Sequence, residues 1–323
     1  MSIPNGEVFV GIDLGGTNVR VASITDSGQV LNKRETAIEA ARGPQAGLEK
    51  ISMLISKVIG QTGQPIKAIG IGSTGPLDRD RGCIQNPYTL PGWEDVDIVR
   101  RLQMQFGVPV ALENDADAAA LGEAWMGAGK DVNRLAMVTI GTGVGTAFIY
   151  GGEIYRGTLG AHPEGGHILI DPNGPNCYCG AHGCWESLIS GPAIAAHAAE
   201  NIAHSSFLLE KTKGDLQLAD AALVFAGAWQ GDPYCTYMVD RIANFIGLGL
   251  VTMMMLYLPD CIVLGGGVLR SYDIMESTIK TVINRHNVII PANQVEIKFA
   301  GLGQRAGLYG AVRAAQLLVY EGE

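Results

Sequence analysis

A chain of 323 residues, 47% hydrophobic and only 17% charged, has material for a sizeable core in one large domain or two ordinary ones. Its formal net charge of −9, with no Lys/Arg cluster, argues against a general nucleic-acid binder. The 44 glycines keep no strict triplet period, which excludes collagen and favours tight turns and close backbone approaches of the kind found in nucleotide-binding α/β proteins.

In chain order, Met1 to Glu7 carries neither a basic segment nor a signal-like apolar run, so a cytoplasmic location is expected. Val8 to Ile12 reads as a buried strand, Asp13-Leu14-Gly15-Gly16-Thr17 as a tight turn, and Val19 to Ile24 as the return strand. A helix is expected over Gly47 to Ile59, then an apolar strand at Ala68 to Ile71 ending in Gly72-Ser73-Thr74-Gly75-Pro76. Val96 to Phe106 reads as helical, Val108 to Leu112 as a strand stub, and Asp115 to Met126 as a helix headed by Asn114-Asp115.

The opening pattern then returns. Leu135 to Ile140 is a strand, Gly141-Thr142-Gly143-Val144-Gly145 a tight turn, and Thr146 to Tyr150 the return strand. Such a repeat suggests two similar α/β domains facing across a cleft. Mostly helical sequence runs from Pro192 to Leu258; its apolar stretch Ile242 to Leu258 holds Asn244, ends at Pro259-Asp260, and reads as a buried helix rather than a membrane span. Cys261 to Leu264 is a short strand ended by Gly265-Gly266-Gly267, and a strand near Val295 to Phe299 leads to a helix from Ala306 to about Leu318. The expected domains are 1–128 and 129–323, with the last helix able to pack back on the first.

Three glycine loops at strand ends suggest phosphate chemistry, because glycines let backbone N–H groups turn toward phosphate oxygens. Asp13 suits Mg²⁺ held through water, and Thr17 adds a hydroxyl donor. Gly265 to Gly267 offers a floor for adenine and ribose. No Gly-Lys-Ser/Thr occurs, which excludes a Walker loop. Asp115 is the candidate general base: an alcohol that accepts a phosphoryl group must lose its proton, and helix N-terminal amides should keep this carboxylate ionised. Asn114 can hydrogen-bond a sugar hydroxyl.

Between Glu164 and Glu186 lies the most specific stretch. Cys177, Cys179 and Cys184 place three thiolates on a compact loop, and a histidine completes the set for one structural zinc ion. Spacing alone admits His167 or His182; the nearness of Glu164, one turn away, favours His167. A zinc-bound imidazole points its other nitrogen elsewhere as a donor, for which a sugar hydroxyl is a fitting target, and Glu164 and Glu186 can accept from neighbouring hydroxyls.

The Asp13 loop, the Asn114-Asp115 head, the Glu164–His167 motif and the run Cys177 to Glu186 together resemble the ROK family of repressors and sugar kinases, over nearly the whole chain. The resemblance implies a two-domain actin-like α/β fold of the hexokinase–acetate kinase superfamily. It implies Asp115 as the catalytic base and Asn114, Glu164, His167, Glu186 and a loop holding Gly75 around the sugar. Asp13, Gly15, Gly16 and Thr17 would form the first phosphate loop, Gly141, Thr142 and Gly143 the second, and Gly265, Gly266 and Gly267 the adenosine loop. It selects His167, with Cys177, Cys179 and Cys184, as the zinc ligands. With Asp13 so near the first residue, no DNA-binding segment is expected ahead of the core. The implied activity is ATP- and Mg²⁺-dependent phosphorylation of glucose at its 6-hydroxyl by a homodimer or tetramer that engages neither nucleic acid nor membrane. Mannose, fructose or an N-acetylhexosamine are the alternative acceptors, and a non-catalytic sugar sensor is the alternative in kind.

Overall fold

The computed structural model describes residues 6–320. In chain order its first elements are β1 (Val8–Leu14), β2 (Asn18–Thr25), β3 (Val30–Ala37), α1 (Pro44–Ile59), β4 (Ile66–Ser73), the two-residue strands β5 (Leu77–Asp78), β6 (Cys83–Ile84) and β7 (Val96–Asp97), α2 (Ile98–Phe106), β8 (Val110–Asn114) and α3 (Asp115–Met126). A five-stranded sheet has the order β3-β2-β1-β4-β8; β1 runs antiparallel to β2 and parallel to β4, and β4 runs parallel to β8. Nearly every residue of β1 is buried, as expected of a strand covered on both faces. One face packs Val10, Ile12, Ile69 and Ile71 against Leu48, Ile51, Leu54, Ile55 and Val58 of α1. The other packs Phe9, Ala22, Ile24 and Ala68 against Leu308, Tyr309, Val312 and Ala315 of the last helix, Ala306–Tyr320. Gly11 and Gly70 let that helix approach closely: a Cβ on Gly70 would strike the carbonyl of Ala311.

The second half repeats the plan. Its elements are β9 (Arg134–Ile140), β10 (Val144–Tyr150), β11 (Glu153–Ile154), α4 (Trp185–Ile189), α5 (Gly191–Glu200), α6 (Ser206–Thr212), α7 (Ala221–Trp229), α8 (Pro233–Tyr257), β12 (Cys261–Gly265), α9 (Glu276–Arg285), β13 (Glu296–Phe299) and, last, α10 (Ala306–Tyr320). The sheet order is β11-β10-β9-β12-β13, with β12 parallel to both β9 and β13. Among the described residues α8 alone is long and apolar enough to cross a membrane. Its Met238, Ile242, Ile246, Leu250 and Met254 are buried in the core of this half. Gly249 lies against the indole of Trp185, which donates from Nε1 to the carbonyl of Phe245 at 2.9 Å.

Two compact units result, and no single cut separates them. The first comprises Asn133 and the residues before it, Ile149–His162, and everything from Ala300 on; the second comprises Arg134–Phe148 and Pro163–Phe299. The expected boundary at 128/129 therefore differs from the observed partition. Small residues on α10 give the C-terminal segment a close fit to β4 and α3, and the loop around β11 packs with the residues before Asn133. The sequence reading also omits β3, whose exposed and half-exposed residues include Lys33, Arg34 and Glu35 and leave no apolar pattern.

Candidate active site

In the first unit the site is built at the carboxyl ends of three parallel strands. Asp13 stands opposite Gly72, and Ser73 opposite Asn114, so β1, β4 and β8 end together. In open α/β sheets ligands bind in the crevice outside the carboxyl ends of the strands. Asn114 caps α3, its Oδ1 accepting from the amide of Ala116 at 2.8 Å. Gly75 leaves room for the Asn114 amide, since a Cβ there would come 2.8 Å from Nδ2. Asp115 accepts from the same Ala116 amide at 2.8 Å. The residue is solvent-exposed, yet enough protein crowds its carboxylate to desolvate it. Desolvation lifts its pKa to about 6, the nearby Asp13 adds to the rise, and the Ala116 amide and His162 oppose it. The helix amides expected to dominate are thus outweighed by desolvation.

Asp13 is not a free carboxylate. Arg20 donates from Nη1 to its Oδ2 at 2.9 Å and from Nε to Glu35 at 3.0 Å. Gly16 is held where any side chain would meet the Thr89 carbonyl at 2.6 Å, while Gly15 donates to the Asn18 carbonyl at 3.0 Å and Thr17 lies exposed at the turn. Thr89 in turn is tied to the loop after β4 by buried Asn86, which donates to Thr89 Oγ1 at 2.7 Å and Thr74 Oγ1 at 3.0 Å.

In the second unit the parallel pairing of β9 and β12 sets the two remaining glycine loops side by side. Gly265 lies opposite Thr139, and a Cβ on Gly141 would come 3.9 Å from the amide nitrogen of Gly267. Gly266 has φ +98 and sits against the Ile140 carbonyl, so only glycine fits; nothing crowds Gly267. Gly191, opening α5, donates to the Gly141 carbonyl at 2.8 Å.

Glu164 precedes a short 3-10 turn, Gly165–His167, whose last residue is His167. The turn is pinned to β10: Gly165 donates to Thr146 Oγ1 at 2.9 Å, and a side chain on Gly166 would strike the Val144 carbonyl. Nδ1 of His167 faces the Cys177 sulfur at 3.4 Å, and the Cys179 and Cys184 sulfurs are 3.5 Å apart. All four ligand atoms lie within 4.8 Å of one another, and His182 is not among them. A tetrahedral zinc ion with these donors needs edges of about 3.5–3.8 Å, so the residues fit the ion. The knot is shaped by Cys177 donating to the Ala181 carbonyl at 2.8 Å and by Gly180 and Gly183 at positive φ.

Two contacts depart from expectation. The Nε2 of His167 is 3.0 Å from the hydroxyl of Tyr178, whose exposed ring meets the imidazole edge-on. The Glu186 carboxylate accepts from the amide of Val144 at 2.7 Å, so it braces the second glycine loop. Both departures come from side chains meeting within the unit, which spacing does not reveal. Sequence reasoning likewise misses Arg20, Arg79 and Arg156, and it assigns no role to Asp117, which is fully buried.

The model of the ROK family matches residues 9–317. The chain belongs to the ROK family. It is 32% identical over 307 residues to a glucokinase of Thermotoga maritima, covering 94% of this chain and 95% of that one. It is 30% identical over 305 residues to an N-acetylmannosamine kinase of Shigella boydii, covering 94% and 97%. The ROK hexokinase of Thermus thermophilus has the same fold with a TM-score of 0.85 at 31% identity, over 98% of this chain and 100% of that one. The architecture is thus the α/β actin-like fold of ROK proteins, and the chain is a homologue of their sugar kinases.

Proposed function

We propose that this ROK protein phosphorylates glucose at its 6-hydroxyl with ATP as donor. The observation that carries the reading is the placement of Asp115: a carboxylate at the head of α3, among Asp13, Gly75 and Asn114, which the crowding of protein around it lifts to a pKa of about 6. A base with that pKa is about nine-tenths ionised at pH 7 yet basic enough to take a proton as the acceptor oxygen attacks. Mg²⁺-ATP supplies the phosphoryl group and the counter-charge on it. The amides of the Gly15–Thr17, Gly141–Gly143 and Gly265–Gly267 loops hold phosphates and nucleoside, and Asp13, oriented by Arg20, bears on the magnesium side. Asn114, Glu164, His167 and Glu186 take the sugar hydroxyls, with Tyr178 yielding its place on His167. The zinc ion is structural: its four ligands leave no position for water.

An N-acetylhexosamine is the second reading. A cavity of about 430 Å³ beside Glu186 and Tyr178 leaves space for an N-acetyl substituent, and one relative is an N-acetylmannosamine kinase. A coupled ADP-release assay across glucose, mannose, fructose and N-acetylhexosamines, with and without Mg²⁺, decides. Glucose is expected to give the highest kcat/KM and Asp115→Ala to abolish turnover while sugar binding persists. ADP released without sugar, or near-normal turnover by the variant, refutes the reading.

A further inference from the structure

Directly behind Asp115, in the same unit, lies a buried ionic cluster that its proposed role leaves unexplained. Glu113, two residues before it on β8, and Asp117, two residues after it on α3, both turn into the protein, their side chains 7% and 1% exposed. Two like charges in that position are costly unless each is paired. Arg156, from the loop after β11, spans them: Nη2 donates to Glu113 Oε2 at 2.6 Å and Nη1 to Asp117 Oδ2 at 3.2 Å. Arg79 donates to the other Glu113 oxygen at 2.9 Å and from Nε to the Leu112 carbonyl at 3.1 Å. Oδ1 of Asp117 is buried without a hydrogen-bond partner, so Arg156 carries the pairing of that carboxylate. His162 is a further titratable side chain within electrostatic reach of both Asp115 and Asp117.

The strand-to-helix corner thus has one guanidinium fork holding residues i−2 and i+2 around the candidate base. A fork of fixed shape can do this where an ammonium cannot, because its donors meet two carboxylates at once. Opposite-charge pairing of this sort offers little net stability over an apolar filling, yet it fixes geometry. We propose that Arg156 is a positioning residue for phosphoryl transfer: by clamping Glu113 and Asp117 it holds the Asp115 carboxylate in its productive orientation. The inference rests on Asp115 being the base.

The test compares Arg156→Ala, Arg156→Lys and Asp115→Asn in the full chain, with kcat, sugar KM, thermal melting and sugar binding measured for each. Arg156→Ala is expected to lower kcat about a hundredfold with sugar KM within about twofold of the parent, since a small misplacement of a reacting group costs that much. Millimolar guanidinium should restore at least part of kcat to Arg156→Ala and none to Asp115→Asn. Arg156→Lys keeps the charge and most of the volume; it should melt near the parent temperature yet lose about tenfold in kcat. Should the alanine variant fail to fold, the lysine variant decides alone. Parent-like kcat in the folded variants overturns the clamp. Losses in kcat that merely track the unfolded fraction, without rescue, overturn it too. Turnover by Asp115→Asn overturns the base itself, whatever the Arg156 variants do.

Discussion

At the residue scale, Asp115 ties stability and activity to pH in opposite senses. Its folded-state pKa, about 6, lies above the unfolded carboxylate value of about 3.9. The ionised form therefore weighs against folding above pH 6, and that penalty vanishes as pH falls below the unfolded value. The proposed role as general base needs the same ionised form, so kcat/KM is expected to fall as pH drops through about 6. Asp115→Asn should be inactive at every pH and melt slightly higher than the parent at pH 8, with the gap closing near pH 4; solvent at the exposed tip keeps the gap small. A lower melting temperature at pH 8 contradicts the desolvation account. Cys184 offers a second test. It is fully buried, and burial with its neighbouring sulfurs pushes the thiol up to about 12, which a bound cation would reverse. Cys184→Ser is expected to purify with little zinc by atomic absorption and to melt about 5–10 °C lower. The zinc set was legible because its residues are crowded into one short run; the Tyr178 hydroxyl on His167 was not, because a ring can turn in or out at the same spacing.

At the scale of elements, the legible ones carry unbroken apolar runs or a capping signal. β1, β4, β9 and β12 are of the first kind, and α3, with Asn114 before it, is of the second. β3 escaped notice as a charged edge strand, and β5 to β7 are too short for any period. Within α8, Gly247 and Gly249 are contact points that lie against Val282 and Trp185. The closest crossing is elsewhere: Gly310 of α10 abuts the Ala118 carbonyl of α3, and Gly122 of α3 abuts the Ala306 carbonyl. Gly310→Val should force the helices apart and cost about 3 kcal/mol or more, read as a lowered denaturant midpoint. A midpoint unchanged within error would show that the crossing adapts.

At the scale of the whole molecule, the C-terminal segment completes the unit that the N-terminal residues begin. Without α10, Phe9, Ala22, Ile24 and Ala68 lose their cover. Deleting the chain from Ala300 onward is therefore expected to destabilise the first unit, seen as rapid proteolysis at residues before Asn133, while zinc content survives because all four ligands lie in the second unit. Equal protection of the first unit in the truncated and full chains would contradict this. The sequence by itself determined the chemistry on offer: strands ended by glycine turns, an acid heading a helix, and a candidate zinc-binding set confined to a few turns of chain. Those signals are local, so they survive without coordinates. Only the tertiary structure decided which charges meet: Arg20 on Asp13, Arg156 across Glu113 and Asp117, Glu186 on the Val144 amide. Such pairs join residues from 7 to 43 positions apart, and their geometry depends on how strands and helices pack, which no spacing along the chain encodes.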